Sequence, residues 1–201
     1  MAQGKLIAFE GIDGCGKSTQ LRLLGEALRS RGIDVLCTRQ PTSAYRDNPA
    51  VRAYLEGGDS RVGMKRLCRL AAEDRRGHLA GIVLPSLARG TWVLCDRYVY
   101  SSFAFFRARG VDLPFVEREN RGVRIPDLTV LLDMSPECAR QRVLAREGAI
   151  TKHEEKDLQF MGVVRDTFLQ LSNESFLVLD GRLSIADLHA AILNSLRLKD
   201  T

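Results

Sequence analysis

Aromatic residues are scarce in this sequence, at 6% of 201 residues with a single tryptophan, and no strong excess of one charge is present. The net charge of +5 comes from 30 Lys and Arg residues against 25 Asp and Glu residues. This excess is too modest to indicate nucleic-acid binding. Arginines cluster at 61–76, 97–109 and 118–124, and such clusters equally suit a phosphorylated small molecule. We therefore expect a small-molecule substrate and no nucleic-acid partner.

Long apolar runs and paired cysteines are also lacking. No run of eighteen apolar residues occurs, which excludes a membrane-spanning helix of ordinary length and predicts no membrane partner. The N-terminal residues lead directly into an apolar strand, so we expect no signal peptide and a cytoplasmic protein. The five cysteines are odd in number and lack the spacing of metal ligands: Cys15, Cys37, Cys68, Cys95 and Cys138. Free thiols in a reducing compartment are the expected state.

Short apolar runs alternate with segments of helical periodicity, and no repeat or linker divides residues 1–201. Five candidate strands lie at 5–10, 34–38, 91–96, 127–133 and 176–180. Their nearly continuous apolar character is typical of parallel strands covered on both faces. Ser135 followed by Pro136, and Ser184 followed by Asp187, predict two helix starts. The sequence therefore predicts one α/β domain with a doubly wound, five-stranded parallel sheet flanked by helices.

The sequence GIDGCGKST after the first strand matches the pattern G-x4-G-K-[ST] of a P-loop. It precedes an amphipathic helix, which is the structural context that this motif requires. Backbone N–H groups of such a loop surround phosphate oxygens, so we expect an ATP site. Lys17 is expected to neutralise the β- and γ-phosphates and Ser18 to bind Mg²⁺. The nucleotide-binding residues predicted here are Gly11, Ile12, Asp13, Gly14, Cys15, Gly16, Lys17, Ser18 and Thr19.

A P-loop alone is shared by GTPases, other ATPases and kinases, so the rest of the chain decides between them. The strand at 91–96 ends in Asp96, a carboxylate suited to a magnesium or water contact. Arg97 follows at once, where a GTPase would carry a glycine-based switch, and no N-K-x-D motif for base recognition is present. These features favour an enzyme that holds a phosphate acceptor with arginine.

The segments FEGIDGCGKSTQ, TRQP, DRRGH, DRYVYSSFAF and PDLTVLLD occur in that order along the chain. In order and spacing they resemble the thymidylate kinase family, and the similarity extends from about residue 6 to residue 198. The resemblance implies a P-loop NTPase fold of the nucleoside monophosphate kinase type with a short lid. It also implies phosphorylation of dTMP to dTDP with ATP and Mg²⁺, in dTTP biosynthesis, by a homodimer.

The resemblance implies a role for each matching residue. Arg39 and Arg97 match arginines on the acceptor phosphate, and Asp96 matches the residue that orients substrate and metal. The predicted magnesium ligands are therefore Ser18 and Asp96. Asp13 matches a carboxylate near the acceptor sugar and phosphate. On the base and sugar side the matching positions are Arg75 at the pyrimidine edge, Ser102 facing the base, Phe105 on the deoxyribose and Ala71 at the stacking position.

The lid is predicted at about 146–156, a charged segment between two helices. Family members place a catalytic arginine either in the P-loop or in the lid. Here the P-loop position is Gly14, and the position of the lid arginine is Lys152. Lysine is a weaker match to a bidentate phosphate contact, so Arg146 or Arg142 is expected to share this role. A solvated charged loop is the alternative interpretation.

Two further positions depart from the family pattern. Ala71 replaces a phenylalanine that stacks on thymine, which predicts that Phe106 or Tyr100 supplies the ring. Gln40 replaces an acidic residue that we expect near the metal. These departures keep two alternatives open: an enzyme for another or modified deoxynucleoside monophosphate, and a weakly catalytic nucleotide-binding homologue. His78, in the DRRGH segment, is interpreted as a structural partner because phosphoryl transfer needs little proton abstraction.

Overall fold

Five parallel strands form one sheet in the order β2-β3-β1-β4-β5, with helices packed around it. The strands are β1 (Leu6–Glu10), β2 (Val35–Arg39), β3 (Trp92–Asp96), β4 (Leu128–Asp133) and β5 (Phe176–Asp180). This arrangement is that of a computed structural model, which describes residues 3–57, 63–150 and 154–196. Each strand lies within one residue of its predicted bounds, and the α/β parallel fold is confirmed.

The helices are α1 (Lys17–Arg29), α2 (Ser43–Arg46), α3 (Pro49–Gly57), α4 (Met64–His78), α5 (Leu84–Ala88), α6 (Val99–Ala108), α7 (Leu113–Glu119), α8 (Pro136–Glu147), α9 (Leu158–Leu171) and α10 (Ile185–Ser195). Both predicted helix starts are confirmed by their caps. Ser135 accepts a hydrogen bond from the Cys138 N–H, and Ser184 accepts one from the Asp187 N–H. Each hydroxyl satisfies a backbone donor that the helix leaves unpaired.

Residues Leu79–Val83 form a π-helical segment that joins α4 to α5. Pro85 follows closely and has no N–H, so it removes one donor from the helical hydrogen-bond ladder. Among the helices of the described residues, none combines the length and apolar character needed to cross a bilayer.

The central strand β1 is completely buried, because its neighbours β3 and β4 flank it and helices cover both faces. One apolar cluster packs α1, α9 and α10 against the sheet, and a separate cluster joins α2, α4, α6 and α7. The second cluster extends beyond the carboxyl ends of β2 and β3. It therefore forms a wall for whatever binds at that edge.

The carboxyl edge of the sheet carries the polar residues of interest. Phe9 of β1 is in register with Asp96 of β3, and Arg39 of β2 is in register with the same Asp96. The P-loop begins directly after β1, in the middle of this edge. Ligands of open parallel sheets bind at such a position, so the fold directs the search for a site here.

Candidate active site

The P-loop at 11–19 curls between β1 and α1 through glycines that other residues cannot replace. Gly11 has φ +132°, and a Cβ atom there would lie 2.6 Å from the Leu132 carbonyl oxygen. Gly14 has φ +91°, and a Cβ atom there would lie 2.4 Å from the Ala139 carbonyl oxygen. Both positions therefore require glycine on grounds of backbone conformation and space. In particular, this P-loop has no room for the arginine that some family members carry at position 14.

Lys17, the first residue of α1, holds its ammonium group inside the loop. Its Nζ donates to the Ile12 carbonyl oxygen at 2.9 Å and lies 3.5 Å from the Asp13 carboxylate. The side chain is buried, with 6% of its surface exposed. A desolvated cation at the start of a helix is well suited to the oxygens of a polyphosphate.

Ser18 and Asp96 meet across the edge of the sheet, with the Ser18 Oγ donating to Asp96 Oδ2 at 3.0 Å. A hydroxyl and a carboxylate are the oxygen donors that Mg²⁺ takes from a protein when phosphates and water complete its octahedron. Within the described residues no group of three or more His, Cys, Asp or Glu side chains could hold a metal by itself. The donor set therefore fits Mg²⁺ shared with a nucleotide better than a permanent metal centre.

Two pockets open at this edge. The polar pocket is lined by Asp13, Gly14, Gly16, Lys17, Ser18, Thr19, Arg39, Arg46, Asp96, Arg97, Arg146 and Glu147. The apolar pocket is lined by Asp13, Gln40, Pro41, Tyr45, Arg46, Leu55, Ala71, Arg75, Arg97, Tyr98, Ser101, Ser102, Phe105, Phe106, Arg109 and Glu154. Asp13, Arg46 and Arg97 line both and mark the junction between them.

The structure brings most of the predicted site residues to these two pockets. Gly11, Ile12 and Cys15 belong to the same loop but do not line the polar pocket. Arg39, predicted at the acceptor phosphate, borders the polar pocket and not the apolar one. The four base-side and sugar-side predictions, Ala71, Arg75, Ser102 and Phe105, all line the apolar pocket.

Arg97 is held at the junction by several contacts. Its backbone has φ +68°, an uncommon conformation for a residue with a side chain, and its N–H donates to the Phe9 carbonyl oxygen at 2.9 Å. Its guanidinium donates to Asp13 at 2.7 Å and to Ser101 at 3.1 Å. Burial lowers the pKa of Arg97, but nearby carboxylates, Asp13 first, outweigh burial and hold the pKa above its ordinary range. Such strain at a pocket junction is typical of a functional position.

Glu10, the last residue of β1, anchors the segment that carries Arg97. Its fully buried carboxylate accepts hydrogen bonds from the N–H groups of Tyr98 and Ser101, at 2.9 and 3.1 Å. The second oxygen accepts from the Ser101 hydroxyl at 2.5 Å. Burial raises the pKa of Glu10, while Arg97 and these hydrogen bonds oppose the rise. Glu10 thereby ties the start of α6 to the end of β1.

Replacement of Glu10 by alanine is expected to lower the free energy of unfolding by about 3 kcal/mol. Two buried N–H groups would lose their acceptor, and each costs about 1–3 kcal/mol. Glutamine keeps an oxygen for both N–H groups, so Glu10→Gln is expected to stay within about 1 kcal/mol of the original protein. Urea denaturation of both variants measures this. Equal destabilisation by Gln and Ala would show that the charge matters more than the hydrogen bonds.

Arg75 of α4 is almost fully buried beside the apolar pocket. Its Nε donates to Gln40 Oε1 at 2.9 Å, and its Nη1 donates to Asn120 Oδ1. Its Nη2 donates to Ser102 Oγ at 2.9 Å and to the Tyr98 carbonyl oxygen at 3.3 Å. Within the described part of the chain, these four bonds leave one of the five guanidinium N–H groups, on Nη1, for a further acceptor.

The orientation of Gln40 follows from its neighbours. Arg75 can only donate, so the Gln40 oxygen faces Arg75 and its NH₂ group faces His78 Nδ1 at 2.9 Å. His78 is then a neutral imidazole whose Nε2–H donates to Thr38 Oγ1 at 2.9 Å. Burial lowers the pKa of His78, which agrees with this state. Gln40 thus holds Arg75 in place. Among the described residues, its side chain bonds to neither of the predicted magnesium ligands, Ser18 and Asp96.

Aromatic rings surround the small side chain of Ala71. Phe106 and Tyr45 share its buried cluster, and both line the apolar pocket. Tyr100 packs instead against Phe176, with ring centroids 4.7 Å apart, and does not line that pocket. Of the two rings expected to compensate for Ala71, the structure therefore places Phe106 at the pocket. Tyr45, on the short helix α2, was not anticipated.

The lid region is described only in part. Lys152 and His153 lie outside the described residues. Arg146 borders the polar pocket and pairs with Glu147 at 2.5 Å. Arg142, the other candidate, donates to the Gly181 carbonyl oxygen at 2.9 Å and does not line the polar pocket.

Within the predicted lid, Glu154 lines the apolar pocket. Arg109 donates to both of its carboxylate oxygens at 2.6 and 2.7 Å, and the Tyr54 hydroxyl donates at 2.9 Å. Arg109 also lies over the Phe106 ring at 4.7 Å. The ion pair between Arg109 and Glu154 could not be predicted from sequence spacing, because the two residues are 45 positions apart.

Comparison with known proteins is consistent with this geometry. A family model described as "Thymidylate kinase" matches residues 9–192. The "Probable thymidylate kinase" of Pyrococcus horikoshii is 35% identical over 196 residues, which cover 95% of either chain. The "Thymidylate kinase" of Magnetococcus marinus is 37% identical, covering 86% of this chain and 84% of the relative. That of Nitrosomonas eutropha is 38% identical, with 96% and 92% covered.

Proposed function

Because the chain belongs to the thymidylate kinase family, we propose that it transfers the γ-phosphoryl group of ATP to dTMP, giving ADP and dTDP. The observation that supports this most is the junction of the two pockets. A polar pocket around the P-loop meets an apolar pocket containing Arg75 and Phe105, and Arg97 lines both. Phosphoryl transfer needs two substrates aligned across such a junction, and it needs no protein nucleophile.

The polar pocket supplies the donor side. Backbone N–H groups of the P-loop are expected to bind the phosphates, and Lys17 to neutralise the β- and γ-oxygens. Ser18 and Asp96 are the residues that would hold Mg²⁺, which supplies charge neutralisation between the β- and γ-phosphates. Arg146 borders the same pocket and is proposed to contribute further positive charge, together with Lys152.

The apolar pocket supplies the acceptor side. We assign Arg97, at the junction, to the acceptor phosphate, together with Arg39, which faces the junction from the polar pocket. The remaining N–H of Arg75 is assigned to a carbonyl oxygen of the base. Ser102, which lines the same pocket, is assigned to the polar side of the base. Phe105 lies under the Arg97 guanidinium at 4.9 Å, where its ring can cover the deoxyribose and disfavour a 2′-hydroxyl. Phe106 and Tyr45 are proposed to provide the aromatic surface that Ala71 lacks.

We further propose that residues 1–201 form one kinase domain, since all five strands share one sheet, and that two copies form a homodimer. The homodimer is supported by Leu84 and Ile125, because both apolar side chains are about half exposed and line the same surface groove. A monomeric mass in light scattering would contradict it. A cytoplasmic location is inferred from the substrates and from the five free cysteines, and cell fractionation tests it.

An assay coupled to ADP release across nucleoside monophosphates tests the function. We expect kcat/KM for dTMP to exceed that for dUMP by about 10-fold, the value of one buried methyl group. dCMP places an amino group, which is a donor, against the Arg75 N–H, which is also a donor. Its kcat/KM is therefore expected to be lower than that for dTMP by at least about 10²-fold. A preference for another base would contradict the assignment, and absence of turnover despite ATP binding would contradict catalysis altogether.

A further inference from the structure

Arg46 has no assigned role, yet it lies at the junction of the two pockets. It lines the polar pocket and the apolar pocket, a property shared with Asp13 and Arg97. Arg97 already has an expected role at the acceptor phosphate, and Asp13 pairs with Arg97 and Lys17. The side chain of Arg46 therefore lies where the proposed donor and acceptor pockets meet.

The short helix α2 (Ser43–Arg46) fixes the backbone of Arg46 at this place. Its cap residue Thr42 donates its N–H to Asp74 Oδ2 at 2.8 Å, and its hydroxyl donates to the other oxygen of Asp74. Asp74 directly precedes Arg75 on α4, so α2 is tied to the helix that forms the wall of the apolar pocket. The neighbouring Tyr45 is buried in that wall. Arg46 is therefore carried on a well-anchored turn.

The guanidinium of Arg46 is only partly used by the protein. Its Nε donates to the Pro41 carbonyl oxygen at 3.0 Å, which holds the stem of the side chain in place. Within residues 3–57, 63–150 and 154–196, its Nη1 and Nη2 atoms have no hydrogen-bond partner. These two terminal nitrogens present the planar pair of donors that matches two oxygens of a phosphate.

The charges around Arg46 favour an anion. Burial lowers the pKa of Arg46, and the guanidiniums of Arg39 and Arg97 lower it further, while Asp13 and Asp96 act in the opposite direction. The polar pocket as a whole is lined by five cationic side chains and three carboxylates, an excess of two positive charges. Like charges this close destabilise the folded protein, and a bound phosphate relieves the repulsion.

Lys17 is the one cationic side chain of the P-loop at 11–19. A side chain at Gly14 would collide with the Ala139 carbonyl oxygen, so the position used by some family members is closed here. Arg146, at the other side of the polar pocket, is paired with Glu147. Among these side chains, Arg46 combines a place at the junction with terminal donors that no other residue of the described part engages.

We propose that Arg46 is a catalytic residue that contacts both the acceptor phosphate and the γ-phosphoryl group during transfer. In that step an oxygen of the acceptor phosphate forms a bond to Pγ, and the bond from Pγ to the β,γ-bridging oxygen breaks, leaving ADP. Negative charge spreads over the equatorial oxygens between the two substrates, where the Arg46 donors neutralise it. This proposal rests on the proposed function, and it concerns one residue of that reaction.

The test compares Arg46→Ala and Arg46→Lys with Arg66→Ala, which removes one exposed arginine that lines neither pocket. Steady-state kinetics with ATP and dTMP give kcat and both KM values. Binding is measured for ATP, for dTMP and for a bisubstrate probe in which adenosine and thymidine are joined at their 5′ positions through five phosphates. The melting temperature of each variant reports folding.

For Arg46→Ala we expect kcat to fall by about 10²-fold, the usual effect of one lost donor to the transition state. The probe should bind about 10²-fold more weakly, while the affinity for ATP alone changes less than about 3-fold. The melting temperature should stay level or rise, because one of three crowded guanidiniums is removed. Arg46→Lys should remain at least about 10-fold below the original kcat, since lysine cannot make a bidentate contact.

A kcat for Arg46→Ala within about 3-fold of the original enzyme and of Arg66→Ala would overturn the proposal. So would a fall in melting temperature with equal weakening of ATP, dTMP and the probe, because that pattern describes a structural residue. Failure of the original protein to phosphorylate dTMP would instead refute the proposed function. The two outcomes are thus separate.

Discussion

Replacement of Arg97 by alanine is expected to lower kcat for dTMP phosphorylation by about 10³-fold or more, while ATP binding stays nearly unchanged. The guanidinium lies at the junction of the two pockets, where bidentate contacts to a phosphate are strongest because water is excluded. Titration with ATP and steady-state kinetics with varied dTMP separate the two effects. Unchanged kinetics for dTMP would refute the assignment of Arg97 to the acceptor phosphate.

The backbone of Arg97 offers an internal control. At φ +68° an alanine keeps the steric cost that arginine bears, about 1–2 kcal/mol, whereas glycine does not. Arg97→Gly is therefore expected to melt above Arg97→Ala and to be equally inactive. Arg107→Ala removes an exposed arginine on α6, the helix that follows Arg97, and should keep full activity. If Arg97→Gly recovered activity with its stability, the loss in Arg97→Ala would come from backbone strain and not from the missing guanidinium.

Features that depend on local sequence were predictable. Each strand is a short apolar run bounded by helical periodicity, because both faces of a parallel sheet are buried, and this pattern placed strand ends within one residue. The caps at Ser135 and Ser184 follow from side-chain hydroxyls that reach a backbone donor three residues on. The P-loop was equally predictable from the sequence, because the path of its backbone requires glycine at fixed positions.

Features that depend on distant contacts were not predictable. Glu10 looked like the polar end of a strand, and its role as the acceptor for Tyr98 and Ser101 requires knowledge that β1 and α6 meet. The contacts of the Gln40 side chain with Arg75 and His78 were equally hidden, because these partners are 35 and 38 residues away along the chain. A sequence motif identifies a residue such as Gln40, but the packing of distant helices determines which groups its side chain contacts.

The ring that compensates for Ala71 illustrates the same limit. Phe106 was identifiable as a candidate because it lies in the segment DRYVYSSFAFF, next to the predicted sugar contact Phe105. Tyr45 has no motif around it and reaches the pocket through the turn of α2. Arg46 escaped notice for that reason too, since it was one arginine among many until the fold placed α2 between the two pockets.

Replacement of Lys17 by methionine is expected to lower kcat by about 10³-fold and to weaken ATP binding by about 10²-fold. Methionine preserves the length of the side chain and removes only its charge and donors. Folding should change little, because the cost of burying the ammonium offsets its contacts with Ile12 and Asp13. Lys5→Met is the matched control, since Lys5 directly precedes β1 at the opposite end of the strand from the P-loop.

A nucleotide series distinguishes a lost charge from a collapsed loop. If Lys17 neutralises β- and γ-oxygens, Lys17→Met should weaken ATP most, ADP less and AMP hardly at all, because AMP carries only the α-phosphate. Calorimetric titration of the three nucleotides measures this order. An equal loss for ATP, ADP and AMP would mean that the methionine disturbs the P-loop backbone, whose N–H groups all three nucleotides share. The graded loss would locate the ammonium of Lys17 at the end of the phosphate chain, beside the junction where Arg97 receives the acceptor.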